Sequence, residues 1–93
     1  MAKRAKNNAK EQTFRFTAPD ARSVLLVGDF THWQQKAIPL QKGKDGIWAA
    51  AVTLSPGKHT YRFIVDGEWR DDPECTLRVP NPFGGHDMVR QAA

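Results

Sequence analysis

Only one cysteine, Cys75, occurs in the 93 residues, so no disulfide can close within the chain, and the usage fits a reducing compartment. With no second thiol and no activating motif beside it, Cys75 reads as an ordinary packing residue rather than a nucleophile. Long apolar runs are missing as well. Met1 to Glu11 carries no hydrophobic stretch, so that segment is neither a secretory signal nor a membrane span, and a cytoplasmic location is expected. Metal-binding and phosphate-binding patterns are absent too. His32, His59 and His86 are far apart with no Cys or His at ligand spacing, and there is no Gly-x-Ser-x-Gly elbow or phosphate loop. No metal or other cofactor is expected.

Paired catalytic carboxylates are equally scarce. Asp71 and Asp72 are neighbours whose side chains would point to opposite faces of an extended chain, Asp72-Pro73 reads as a turn, and Asp66 belongs to an Asp-Gly turn. Glycoside hydrolysis needs two carboxyl groups roughly 5 to 9 Å apart across a cleft, which a sandwich of this size does not obviously offer. At 93 residues the chain holds one core and lacks room for a separate catalytic domain. A non-enzymatic protein is expected.

The net charge of +4 is unevenly spread. Lys3, Arg4, Lys6 and Lys10 against Glu11 place most of it in the first eleven residues, and the remainder is close to neutral. Residues 1–11 are expected to form a disordered basic tail and residues 12–93 the folded domain. A nucleic-acid partner would rest on that tail alone and is not expected; neither is a membrane.

Helical periodicity is also lacking. Short alternating segments bounded by Gly, Pro, Asp and Asn recur about every ten residues, the spacing of an all-β sandwich. Strands are expected near Thr13–Ala18, Ser23–Gly28, Ala37–Leu40, Gly46–Leu54, Gly57–Val65, Glu68–Arg70, Cys75–Val79 and Asp87–Arg90, with Pro80 and Pro82 in a loop. Alternation puts Phe14 and Phe16, then Trp48, Ala50 and Val52, then Tyr61, Phe63 and Val65 on inward faces. Thr60, Arg62 and Ile64 then face outward.

Two tryptophans are left without a core role. Trp69 follows the Asp66-Gly67 turn, and Trp33 follows a strand and a short polar loop, so both are expected at solvent. Flat rings in such places mark a recognition surface and suit ligands with flat, partly apolar faces, sugars above all. Arg62 adds a planar cation with five donors for sugar oxygens.

Four pieces occur in order: Val24-Leu25-Leu26-Val27-Gly28-Asp29-Phe30 leading to Trp33, Leu54-Ser55-Pro56-Gly57 leading to Tyr61-Arg62-Phe63, Val65-Asp66-Gly67-Glu68-Trp69 leading to Asp72-Pro73, and Phe83-Gly84-Gly85. Together they resemble the family-48 carbohydrate-binding modules, a family that includes glycogen-binding domains of kinase β subunits and N-terminal domains of isoamylases and branching enzymes. The resemblance implies an immunoglobulin-like β-sandwich of the early-set type that binds α-1,4-glucan, glycogen-like or starch-like, or a maltooligosaccharide. It further implies glucan contacts at Trp33, Arg62 and Trp69, with Phe83 and Asp87 on the last loop. At Arg62 the family often has Lys, and Gly85 stands where it carries a hydroxyl. A glycogen-metabolising enzyme is an expected partner. The alternatives are an immunoglobulin-like protein-interaction module that has lost its sugar site, or an accessory domain of glycoside hydrolase family 13 enzymes.

Overall fold

The computed structural model describes residues 10–82 and 84–92. Among these described residues nine strands run in the order β1 (Lys10–Thr17), β2 (Val24–Gly28), β3 (Ile38–Pro39), β4 (Gln41–Lys42), β5 (Ile47–Leu54), β6 (Gly57–Val65), β7 (Glu68–Arg70), β8 (Arg78–Pro80) and β9 (His86–Ala92). They form two antiparallel sheets, one ordered β1-β5-β4 and the other β3-β2-β6-β9-β8, with β7 also paired to β6. The all-β architecture agrees with the sequence spacing.

Inward faces follow the alternation. Phe14, Trp48, Tyr61 and Phe63 are buried, joined by Val24, Leu26, Leu54, Val65 and Met88. Aromatic edges hold the two sheets together: Phe14 meets Tyr61 at 4.9 Å between ring centroids and Phe16 meets Phe63 at 5.1 Å. Such contacts add to the burial of apolar area. The Trp48 Nε1–H is not left unpaired in the core, because it donates to the Ala18 carbonyl at 2.8 Å.

Several boundaries differ from expectation. β1 starts at Lys10, whose partner is Leu54, and Glu11 pairs with Thr53. The folded part therefore includes the last two residues assigned to the tail; residues 1–9 lie outside the described residues. β4 pairs with β5 through two residues only, too few for an alternation to show. The strand expected over Cys75–Val79 is shifted to Arg78–Pro80, since the Asp72-Pro73 turn reaches Cys75, whose N–H donates to the Asp72 carbonyl at 3.2 Å. Pro80 is a strand residue and not a loop residue. That is tolerated because β8 is the edge of its sheet, where a missing N–H costs nothing.

Candidate functional site

The outer face of the six-stranded sheet is where the expected site residues meet. Val27 and Arg62 are register partners, as are Ile64 and Trp69, so all four point outward. Val27 and Ile64 are nonetheless buried. Two 3-10 turns, Asp29–Thr31 and Trp33–Lys36, pack on β2 and carry Trp33 over this face. The outer surface is thus only partly solvent, a cover that period-two alternation cannot reveal.

Local chemistry sets each ring. Asp66 and Gly67 have φ of 50° and 85°, as a tight hairpin between β6 and β7 requires, and this brings Trp69 back across from Ile64. The Asp66 carboxylate accepts from the Arg22 and Ser23 N–H groups at 2.8 and 2.9 Å, so its role is structural. Trp33 is placed differently. His32 and Trp33 both have positive φ, 51° and 55°, a conformation that non-glycine residues adopt only when the surroundings impose it. Thr31 is one such restraint: its buried Oγ1 accepts from the Gly28 N–H at 2.9 Å and donates to the Trp33 carbonyl, 2.7 Å away. Asp29 is a second, accepting from the Thr60 N–H at 3.1 Å and meeting His59 Nδ1 at 3.2 Å. Gly28 is required by close approach, since a Cβ there would lie 2.4 Å from the Thr60 carbonyl oxygen.

The two indoles stand 6.4 Å apart between centroids, tilted by 44°. Trp69 is 40% exposed and Trp33 is half-buried, so the expectation of solvent holds fully for the first and partly for the second. With Gln34, Arg62, Asn81, Pro82 and Asp87, they line an open groove of about 710 Å³. Arg62 lies across Trp69, its Cζ 5.4 Å from the ring centroid, and its Nη2 forms an ion pair with Asp71 Oδ1 at 3.0 Å. Asp87 accepts from Asn81 Nδ2 at 3.1 Å, and Asn81 Oδ1 accepts from the Gly85 N–H, which shapes the β8–β9 connection. The structure therefore brings Trp33, Arg62, Trp69 and Asp87 together. Phe83 lies outside the described residues. Gln34, Asn81 and Pro82 were not foreseen; only Asn81 and Pro82 carried a signal, their place just before the Gly84-Gly85 turn.

A smaller depression of about 320 Å³ opens elsewhere, with Tyr61, Asp72, Cys75 and Arg90 in its lining. The polar side-chain atoms of Tyr61, Asp72 and Cys75 there have partners. The Tyr61 hydroxyl donates to Asp72 Oδ2 at 2.7 Å, Asp72 Oδ1 accepts from the Glu74 N–H, and the Cys75 thiol donates toward the Leu77 and Val89 carbonyls. Burial first, then Asp72, holds the Tyr61 phenol far above its ordinary range. This is a structural cluster, in line with the sequence reading of Asp72 and Cys75. No group of three or more metal-ligating side chains occurs among the described residues. No helix among them is long and apolar enough to cross a membrane.

A groove lined by two mutually tilted indoles, a guanidinium, and amide and carboxylate groups can stack on sugar rings and bond their hydroxyls. Family comparison points the same way. The model of the glycogen recognition site of AMP-activated protein kinase matches residues 11–85, most of the chain. The chain belongs to this family of carbohydrate-binding modules. Among similar proteins, PTST homolog 2 of Arabidopsis thaliana, a chloroplastic protein, is 40% identical over 72% of this chain and 12% of its own length. The 5'-AMP-activated protein kinase subunit beta-1 of Sus scrofa is 34% identical over 75% of this chain and 54% of its own. A 1,4-alpha-glucan branching enzyme of Lactobacillus acidophilus is 40% identical over 84% of this chain and 13% of its own. The chain thus spans between about an eighth and about half of these relatives.

Proposed function

We propose that this domain binds α-1,4-glucan, as glycogen, starch or a maltooligosaccharide, without acting on it chemically. The observation that carries this reading is the Trp33–Trp69 pair at 6.4 Å on one groove with Arg62 against it. Tilted by 44°, the two planes suit a curved chain of sugars better than a flat one. Arg62, Asn81 and Asp87 then serve the hydroxyls, and Phe83 belongs to the same proposal through its place in the sequence.

The relatives are mostly larger proteins, some of them enzymes by name, so the domain's service is to hold glucan near a glycogen-metabolising or starch-metabolising partner, in the cytoplasm. Retardation in a native gel containing glycogen tests the binding: the parent should be slowed, and Trp69→Ala should run close to its rate without glycogen. Equal migration of the parent with and without glycogen would instead leave the groove as a protein-docking surface.

A further inference from the structure

Arg62 is the one cation lining the groove among the described residues, and a guanidinium on a flexible stem samples many rotamers unless it is held. Its Nε is buried without a hydrogen-bond partner, which by itself disfavours this placement, since an unmet donor in the interior is costly. Something must offset that cost. Asp71 does so through an ion pair with Nη2 at 3.0 Å, and Trp69 through its ring, 5.4 Å from Cζ. Asp71 is held in turn: its second oxygen accepts from Arg78 Nη1 at 3.2 Å. One carboxylate thus bridges two arginines, on β6 and on β8, while itself standing outside the groove lining.

We infer that Asp71, steadied by Arg78, is a positioning residue that fixes the Arg62 guanidinium across Trp69 and so sets which N–H groups face the ligand. This rests on the glucan reading. With Nη2 paired to Asp71 and Nε covered, the N–H groups left for a sugar oxygen are those of Nη1 and the second one on Nη2. A lysine at this place has a rotatable ammonium and no plane to fix, so the Asp71–Arg78 pair is a device matched to arginine. Preorganisation of this kind sharpens orientation more than it adds contact.

Asp71→Ala and Arg62→Gln, singly and combined, in the whole chain, test it. Asp71→Ala should weaken glycogen binding roughly threefold to tenfold in the parent and by less than about twofold in the Arg62→Gln background. A loss of equal size in both backgrounds would overturn the inference, because Asp71 would then act on the sugar or on the fold. A ligand-free readout separates this from the glucan reading. The Arg62 Nε–H signal in an NMR spectrum should stand apart from free arginine in the parent and move toward it in Asp71→Ala, and less far in Arg78→Ala, with the backbone amide pattern kept. An Nε–H signal unchanged by Asp71→Ala overturns the clamp whether or not glycogen binds; a parent that ignores glycogen but loses its Nε–H position in Asp71→Ala overturns only the glucan reading.

Discussion

The two faces of β6 come from one run of residues, yet they are built to opposite rules. Inward, Tyr61, Phe63 and Val65 are buried among Phe14, Phe16, Trp48 and Met88, and the one polar atom, the Tyr61 hydroxyl, has its partner in Asp72. Outward, Arg62 has a donor without a partner, Trp69 is the most exposed of the tryptophans, and two residues of the neighbouring turn hold positive φ. The contrast teaches where to look for function. A face that leaves aromatic area open retains capacity for a ligand, whereas a closed and satisfied face has none to give.

Substitutions can break or sharpen that contrast. The largest effect should come from Trp48→Ala, which removes a core ring together with its bond to the Ala18 carbonyl. It should cost about 3–5 kcal/mol in urea unfolding. Tyr61→Phe should follow, at about 1.5–3 kcal/mol, because it strips the buried Asp72 of a donor. The same tyrosine gives a pH signature. Its folded pKa is raised by burial and by Asp72 above its ordinary value near 10, so its contribution is complete below that value. As pH climbs above about 10 the unfolded phenol ionises while the folded one does not, and stability should fall; in Tyr61→Phe the alkaline slope should be shallower.

The outer face should answer in binding instead of stability. Trp33→Ala and Trp69→Ala should each weaken glycogen binding by about 1–3 kcal/mol. Because the rings stand 6.4 Å apart, the double variant should lose less than the two single losses added. Trp33→Ala should also lower the melting temperature more than Trp69→Ala, as the more buried ring of the two. Cys75→Ser marks the small end. A hydroxyl can donate to the same Leu77 and Val89 carbonyls, so stability should change by less than about 1 kcal/mol and glucan affinity should be kept.

Much of this was legible in the sequence where the physics is local. The Asp66-Gly67 turn announces Trp69, and alternation alone places Trp48 inside and Arg62 outside. What escaped depends on partners distant in the chain. Thr31 looks like any loop threonine until Gly28 and Trp33 close on its hydroxyl, and Asp71 resembles a solvated acid until β6 and β8 bring two arginines to it. Ile64 faces outward as alternation implies yet is buried, since the 3-10 turns that cover this side carry no periodic signal. Pro80 read as a strand breaker because its place on an edge is a property of the sheet and not of the segment.

The central claim is that the Trp33–Trp69 groove holds glucan, and the three tryptophans supply an internal control for it. In a titration of the labelled chain with a maltooligosaccharide, followed by NMR of the indole N–H groups, the signals of Trp33 and Trp69 should move together along one saturating curve. The Trp48 signal, tied to the Ala18 carbonyl in the core, should stay where it is. Stationary signals for both Trp33 and Trp69 at saturating sugar, or movement of Trp48 alone, would contradict the account.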